Sequence, residues 1–329
     1  MRDRTRHLVL VAAAEDQGIR LDLFLRKRSG SLSRARARDL LAAGGVSLNG
    51  RRVKIASRPL RTGDRVEVFS RDQTRPSPPP TGREPFRVIH EDRAALIVDK
   101  APGVLVQPTP QGDRGVLLDL LRRYLKKRYP HIPNPYLGLL HRIDRDTSGL
   151  LLFSRMGAAN RVLAEQFRTH TIEREYLALV RGDVKEEMGT IVSRLARNAP
   201  QGLRVAIRMD ARGRRAVTHY RVMERFGPAT LLSVKLETGR THQIRIHLSD
   251  LGHPVVGDKS YGRPLRFPHL ALLDTFPRQA LHAGRLGFTH PLTGRWMSFE
   301  APLPPDFAEL LATLRSRSGG AAPVTATVR

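Results

Sequence analysis

A proline-rich segment at residues 70–85 divides this chain into two parts. It contains five Pro and no large apolar side chain. Such a segment cannot join a packed core and favours extended polyproline geometry. We therefore predict a semi-rigid linker between an N-terminal unit, residues 1–69, and a larger unit, residues 86–314. Residues 315–329 are rich in Gly, Ala, Ser and Thr, a composition that predicts a disordered tail.

The chain carries a large positive charge, which indicates a polyanionic partner. Its 329 residues include 57 Lys and Arg against 31 Asp and Glu, a net charge of +26. Of these cations 49 are Arg, whose planar guanidinium pairs with phosphate through two hydrogen bonds. Such an excess repels a compact fold from within, and nucleic acid is the usual partner that offsets it. Residues 1–85 hold +10 of the charge, so this part is the more densely basic one.

Composition also excludes several classes of protein. The chain has no Cys, which rules out disulfide scaffolds, thiolate zinc sites, iron–sulfur clusters and Cys nucleophiles. No apolar run approaches 18 residues, so we expect no membrane span and no membrane partner. The apolar run at residues 8–14 follows three Arg and faintly resembles a secretion signal. Because it has only seven residues, we interpret it as a first β-strand and expect a cytoplasmic protein.

The N-terminal unit predicts two short helices followed by a hairpin. Apolar residues recur at helical spacing in both helices, and the second begins after Ser33, a favoured N-cap residue. Asn49-Gly50 is typical of a type I′ turn between two strands. The inner faces of the helices are predicted to comprise Leu21, Phe24, Leu25, Ala37, Leu40 and Leu41.

Arginines lie on the second predicted helix and directly after the hairpin turn. With residues 19–25 (IRLDLFL), 33–36 (SRAR) and 46–50 (VSLNG), the stretch 18–69 resembles the S4 (αL-type) RNA-binding domain. The resemblance implies that these arginines bind RNA phosphates. The candidates are Arg34, Arg36, Arg38, Arg51 and Arg52.

In the larger unit, short apolar segments outnumber helical ones and often follow each other directly. This order predicts an α+β domain built on a mixed, largely antiparallel sheet with flanking helices. The predicted helices are residues 117–129 and 157–167, and the predicted strands are 86–89, 95–98, 174–180, 217–222, 230–236 and 243–248.

A polar loop between two apolar segments holds the acids Asp144 and Asp146 against a core. On the residues alone, such acids could cap a turn or form an acid–base pair as in glycosidases. His141, His242 and His247 raise the question of a metal, but their spacing matches no metal motif. Phosphate-binding glycine loops and a serine nucleophile elbow are absent as well. The residues alone therefore leave three classes of protein open. These are a glycosidase or nuclease, an enzyme of another kind, and a non-catalytic RNA-binding protein.

Four ordered motifs resemble those of the RluA-type pseudouridine synthases. The first is residues 141–150 (HRIDRDTSGL), and the second is 174–182 (REYLALVRG). The third is 236–247 (LETGRTHQIRIH), continuing through 252–254 and 257–258, and the last is 281–283 with 288–291. The resemblance covers nearly all of 86–305. The chain departs from it at 100–103, where Lys-Ala-Pro-Gly inverts the usual Lys-Pro-Ala-Gly order.

The resemblance implies an isomerisation of uridine to pseudouridine in RNA, without cofactor or metal. Asp144 matches the essential carboxylate, as nucleophile at the sugar or base or as the base that removes a ribose proton. Arg245 matches the cation that pairs with this carboxylate, and Arg240 is the second choice. Tyr176 would stack on the flipped base, and Arg142 would fill the space that this base leaves.

The resemblance also implies partners. Large-subunit ribosomal RNA is the first expected substrate and transfer RNA the second, and we expect a monomer. The alternative is a non-catalytic RNA-binding or ribosome-assembly protein that carries an S4 domain. The presence of Asp144, Tyr176 and Arg245 together argues against this alternative, because RNA binding alone does not need an ionised carboxylate facing the RNA.

Overall fold

The structure is a computed structural model. It describes residues 7–29, 34–42, 45–53, 55–69, 84–108, 115–197, 204–207, 213–262 and 271–317. Ser33, residues 70–83 of the predicted linker and residues 318–329 of the predicted tail lie outside these ranges. Two compact units are present. One comprises the chain up to Pro78 with Gln107–Asp119, and the other comprises Pro79–Val106 with Leu120–Arg329.

The first unit contains the two predicted helices and a small sheet. The helices are α1 (Leu21–Ser29) and α2 (Arg34–Ala42), and the strands are β1 (His7–Val11), β2 (Val46–Leu48), β3 (Arg51–Arg52) and β4 (Arg65–Phe69). The strands are ordered β1-β4-β2-β3 and pair antiparallel. Asn49 and Gly50 both have positive φ, 51° and 77°, as the predicted type I′ turn requires. All six predicted inner-face residues of the helices are buried in one apolar cluster.

The second unit is built on one large sheet. Its strands are β5 (Phe86–Glu91), β6 (Ala95–Lys100), β7 (Gly138–Leu139), β8 (Ser148–Ser154), β9 (Glu173–Arg181), β10 (Met188–Arg197), β11 (Arg204–Ile207), β12 (Arg214–Arg225), β13 (Ala229–Leu236), β14 (Leu281–Thr289) and β15 (Trp296–Glu300). The order is β11-β10-β12-β13-β9-β14-β8-β6-β5, with β15 on β14 and β7 on β8. Among these described strands, β14 and β8 pair parallel and the other pairs are antiparallel. The predicted, largely antiparallel α+β architecture is confirmed.

Helices cover this sheet and bury its central strands. They are α3 (Leu117–Arg128), α4 (Gly157–Arg168), α5 (Gln243–Asp250), α6 (Ala271–Asp274) and α7 (Pro305–Arg317). Every residue of β8 is buried, which explains its unbroken apolar run, because a strand covered on both faces has no solvent-facing positions. Leu150 and Leu152 on one face of β8 join an apolar cluster with Leu163 of α4 and Phe288 of β14. The loop that precedes β8 is therefore anchored to the centre of the domain.

Two expectations are corrected by the structure. Residues 243–248, predicted as a strand, form helix α5. The alternation of apolar and polar residues was misleading, because the polar side chains of Gln243, Arg245 and His247 are buried as well and their hydrogen bonds are satisfied inside the domain. At the other end, α7 continues to Arg317 and Arg315 pairs with Glu224 at 2.8 Å, so the predicted tail was placed too early. Among the described residues, no helix has the length and apolar character to span a lipid bilayer.

Candidate active site

Asp144 lies in the loop between β7 and β8, with its side chain 21% exposed. The backbone N–H of Thr147 donates to the Asp144 carbonyl at 3.3 Å and closes a turn. At the end of this turn Gly149 has φ 110°, and a Cβ there would lie 2.2 Å from the Ala283 carbonyl oxygen. Only glycine allows β8 to approach β14 so closely at this point. The close approach fixes where the Asp144 loop leaves the sheet.

The backbone of this loop is held by two buried basic side chains, those of Lys100 and Arg278. Lys100 Nζ, at the end of β6, donates to the Arg145 carbonyl at 2.8 Å and to the Ala101 carbonyl at 2.8 Å. Arg278 Nη1 donates to the Asp146 carbonyl at 3.1 Å while its other nitrogens pair with Asp306. The carbonyls on the C-terminal side of Asp144 are thus tied to the core, and a tied backbone orients the side chain.

Arg245 of α5 joins Asp144 to a second, fully buried carboxylate. Its Nη1 donates to Asp144 Oδ2 at 3.0 Å, while Nε and Nη2 donate to the two oxygens of Asp258 at 2.6 and 2.8 Å. The Arg245 side chain is only 7% exposed. Burial opposes its charge, but the hydrogen bonds and charges of Asp258 and Asp144 outweigh this effect and raise the pKa of Arg245 above its ordinary value. The guanidinium is therefore a permanent cation in fixed orientation.

Tyr176 lies in the middle of β9, opposite Val234 of β13 and Ala283 of β14. Burial raises the pKa of its phenol; the charge of Arg174 opposes this increase and that of Asp144 adds to it. Tyr176 is therefore neutral near pH 7 and lies within electrostatic range of the Asp144 carboxylate. The structure brings Asp144, Arg245 and Tyr176 to one place on the sheet.

Arg142 and Arg240 lie on the two loops that border this place. Arg142 is exposed, and its Nη2 donates to Thr241 Oγ1 at 2.8 Å. Arg240, the second choice for pairing with Asp144, donates from Nε to the Arg215 carbonyl at 3.2 Å, whereas Arg245 supplies the hydrogen bond to Asp144. An imidazole also faces the carboxylate, with His242 Nε2 3.8 Å from Asp144 Oδ1.

In the first unit, Arg34 and Arg38 lie one turn apart on α2 and converge on Asp22 of α1. Their Nε atoms donate to Asp22 Oδ2 at 3.3 and 3.2 Å, and Arg20 donates to the same carboxylate. Burial works against the ionised form of Asp22, but these hydrogen bonds lower its pKa to about 2. Because three guanidinium groups surround one carboxylate, this part of the surface keeps a net positive charge. The backbone of Arg36, Arg51 and Arg52 is in α2 and β3, and their side chains lie outside the described part of the structure.

Several residues of this site were missed in the sequence. Asp258 and Lys100 both lie in the sequence motifs, but the sequence alone predicts no role for either of them. A signal for Asp258 existed in Gly257, which has φ 73° and whose Cβ would lie 1.9 Å from the Arg278 carbonyl oxygen. A glycine required before an acid in an apolar context indicates a carboxylate directed inward.

Lys100 carries a testable pH dependence. Burial lowers its pKa to about 7, with Asp146 and Asp144 opposing and Arg278 adding to the decrease. An unfolded lysine titrates near about 10.4, so between pH 7 and 10 the unfolded chain keeps a proton that the folded protein has released. Stability should therefore rise with pH in this window, by up to about 1.4 kcal/mol per unit.

The Lys100→Met variant should lack this rise. Urea unfolding of both proteins at pH 6, 7, 8 and 9 gives the difference in unfolding free energy. We expect this difference to change little between pH 6 and 7 and to shift in favour of the wild type, toward the full slope, above pH 7. A difference that does not change with pH would show that Lys100 keeps its proton in the folded protein.

Known proteins match the chain along most of its length. The sequence model of RNA pseudouridylate synthases matches residues 94–250, and that of the S4 domain matches residues 19–66. An uncharacterized RNA pseudouridine synthase of Bacillus subtilis, YlyB, is 38% identical over 312 residues, which cover 93% of this chain and 97% of the relative. Ribosomal large subunit pseudouridine synthase D of Zymomonas mobilis is 38% identical, over 90% of this chain and 94% of the relative. The enzyme of the same name from Haemophilus influenzae is 36% identical, over 92% and 93%.

Solved structures agree. Human RNA pseudouridylate synthase domain containing 1 has a TM-score of 0.53 and 28% identity, covering 72% of this chain and 97% of that one. Human RNA pseudouridylate synthase domain containing 4 has a TM-score of 0.57 and covers 69% of this chain and 92% of that one; at 24% identity it supports the fold. The matched sequences span the loop of Asp144 and the helix of Arg245. This chain belongs to the RNA pseudouridylate synthase family and is an RNA pseudouridine synthase, an isomerase, with an S4 domain ahead of the synthase domain.

Proposed function

We propose that this enzyme isomerises specific uridines of large-subunit ribosomal RNA, with Asp144 as its essential carboxylate. The substrate is inferred from relatives named ribosomal large subunit pseudouridine synthase D, which align with 90% and 92% of this chain. The net charge of +26 suits a highly folded RNA target, because phosphate contacts supply most of the sequence-independent affinity.

The reaction breaks the bond between uracil N1 and ribose C1′ and forms one between C5 and C1′. The proton on C5 leaves, and N1 takes up a proton, so no oxidant or other co-reactant is consumed. Asp144 attacks the sugar, attacks the base or removes a ribose proton. In each route it reacts in its ionised form and must be sheltered from water to be effective.

The observation that carries the proposal is the hydrogen bond of 3.0 Å between Arg245 Nη1 and Asp144 Oδ2. Sheltering a carboxylate disfavours its charge, and a fixed cation at hydrogen-bond distance restores it. Because Asp258 accepts two hydrogen bonds from Arg245, the position of the guanidinium beside Asp144 is fixed. In this proposal Tyr176 provides an aromatic face for the flipped base, and the exposed Arg142 fills the gap that this base leaves in the RNA.

Release of tritium tests the reaction and the substrate together. We expect the enzyme to release tritium from large-subunit ribosomal RNA labelled at C5 of uridine and to leave labelled transfer RNA unchanged. Pseudouridine mapping in ribosomal RNA from cells that lack the gene should show the missing positions. Release from transfer RNA alone would overturn the substrate, and release from neither RNA would favour a protein that only binds RNA.

Replacement of the five S4 arginines, Arg34, Arg36, Arg38, Arg51 and Arg52, by Ala should weaken RNA binding. If each arginine contacts one phosphate, the slope of log K against log salt should decrease by about 3–5, since each contact contributes about 0.7–0.9. Arg26→Ala is a suitable control, because Arg26 is exposed on α1. An unchanged slope in the fivefold variant would remove these arginines from the RNA interface.

A further inference from the structure

Arg174 is a buried cation that the mechanism described above does not use. It lies on β9 two residues before Tyr176, so both side chains are on the same face of the sheet. The residue is only 8% exposed. Its guanidinium lies over the Phe167 ring, 5.4 Å from the centroid. It therefore occupies the layer of side chains that contains the active site, beside the residue proposed to hold the base.

Its hydrogen bonds are few and long. Nη2 donates to the carbonyls of Leu236 and Glu237 at 3.4 Å each, at the end of β13. Nε is buried without a partner among the described residues. No carboxylate in the described part of the chain pairs with this guanidinium. The nearby acids are engaged elsewhere: Glu175 accepts from Ser233 at 2.6 Å, and Glu237 contacts His219 at 2.9 Å.

The neighbouring imidazole of His141 is neutral, so it does not balance the positive charge of Arg174. His141 Nε2 accepts a hydrogen bond from the Leu152 backbone N–H at 3.0 Å, so this ring is neutral. Burial and the charge of Arg174 lower the pKa of His141 to about 3, in agreement with that geometry. Arg174 thus faces an aromatic ring and backbone carbonyls, and no anion among the residues that the structure describes.

The other buried or nearly buried arginines that the structure describes in this domain each have a carboxylate. Arg245 pairs with Asp258 and Arg278 pairs with Asp306. Arg155 is the nearest match to Arg174, because it lies over the Tyr129 ring and also has an unpartnered Nε, yet it pairs with Glu91. A buried charge without a counterion is costly. Within the described residues of this domain, three such arginines lie on carboxylates and Arg174, beside the active site, does not. This difference indicates that Arg174 is kept for a ligand.

The guanidinium is reached from the loop after β13. Gly239 is exposed and lies directly against it, since a Cβ on this residue would come within 2.8 Å of Arg174 Nη1. The hydrogen bonds of the guanidinium to described residues come from Nη2, and none comes from Nη1. The loop continues to Thr241, which accepts a hydrogen bond from Arg142, so Gly239 lies two residues from a contact of the arginine proposed to enter the RNA.

We propose that Arg174 binds a phosphodiester of the RNA strand whose uridine enters the active site, next to Tyr176. This inference rests on the proposed function. A phosphate supplies the negative charge that the site lacks and accepts two hydrogen bonds from one guanidinium. A uracil oxygen would satisfy a hydrogen bond but would leave the charge uncompensated.

The test compares Arg174→Met with Arg155→Met, in the full chain. For each variant we measure the thermal midpoint without RNA and the affinity for large-subunit ribosomal RNA across a series of salt concentrations. Arg174→Met should keep or raise the midpoint, because it removes a cation that no described carboxylate neutralises. Arg155→Met should lower it, because Glu91 loses its cation and keeps only hydrogen bonds from Tyr124 and Tyr129 among the described residues. Arg174→Met should also reduce the slope of log K against log salt by about 0.7–0.9, one phosphate contact. Arg174→Lys, which keeps the charge, should restore the slope.

Two outcomes would overturn the inference. A midpoint that falls in Arg174→Met as far as in Arg155→Met, with an unchanged slope, assigns Arg174 to the framework of the β13 loop. Lower affinity with an unchanged slope assigns it to a neutral group of the RNA. Tritium release by the wild type is read separately, so failure of the proposed reaction is distinguished from failure of the phosphate site.

Discussion

Asp144→Asn is expected to reduce tritium release from C5-labelled RNA by about 10³-fold or more. General acid–base action alone typically contributes about 10²–10⁴, and an amide can act neither as a base nor as an effective nucleophile in place of the carboxylate. Asn nearly matches Asp in shape and can still accept the hydrogen bond from Arg245 Nη1, which is 3.0 Å from Asp144 Oδ2 in the wild type. The fold should therefore persist. RNA affinity should be kept or improved, because a negative charge that faces RNA is removed.

Asp146→Asn is the matched control, since the same change occurs two residues further along the same loop. The Asp146 carbonyl, not its carboxylate, receives the hydrogen bond from Arg278. Asp146→Asn should lower the rate by less than about tenfold, because the Asp146 side chain does not take part in the reaction. Equal losses in both variants would mean that the charge of the loop matters as a whole, and a fully active Asp144→Asn enzyme would remove Asp144 from the chemistry.

Arg245→Met should affect both activity and stability. Asp258 is fully buried. Among the described residues it would keep the backbone N–H groups of Ser260 and Tyr261 as donors, at 2.9 and 3.1 Å. Removing one partner of a buried ion pair and leaving the other uncompensated typically lowers stability by about 3–5 kcal/mol. Loss of the charged donor to Asp144 should lower the rate by about 10²–10³-fold, the usual effect of removing a positioned hydrogen-bond donor from a reaction centre. Chemical unfolding and tritium release measure the two losses independently.

Adding Asp258→Asn to Arg245→Met separates these effects. Neutralising the stranded carboxylate should recover part of the unfolding free energy, but the rate should stay low because Asp144 still lacks its cation. A double variant that regains activity together with stability would show that Arg245 serves the fold alone.

Local structure was predictable where sequence pattern and packing agree. The helical spacing of Leu21, Phe24 and Leu25 predicted a buried face that the structure contains, and Asn49-Gly50 predicted its turn. The linker and most of the tail fall outside the described residues, so those predictions stay predictions. The roles proposed for Asp144, Tyr176 and Arg245 also stay predictions, while their positions are now known.

Helix α5 shows where periodicity fails. Ile244, Ile246 and Leu248 alternate with polar residues as in a strand. Yet Gln243 donates to the Val217 carbonyl at 2.9 Å, and His247 contacts Thr218 at 2.8 Å. Alternation of apolar and polar residues predicts a strand only if the polar side chains are exposed to solvent. Here the side chains of Gln243 and His247 are buried and form hydrogen bonds with β12. A short stretch of sequence around α5 does not contain these partners.

The sequence by itself determined the family, the order of the two domains and the positions that can carry charge to RNA, because motif residues and their spacing are properties of the chain. The tertiary structure alone decided which charges meet. Arg245 reaches Asp144 across 101 positions of sequence, Asp258 holds Arg245 in place, and no described carboxylate pairs with Arg174. The physical reason is that the free energy of a charge depends on its desolvation and on partners within a few ångströms, and folding brings those partners from distant parts of the chain.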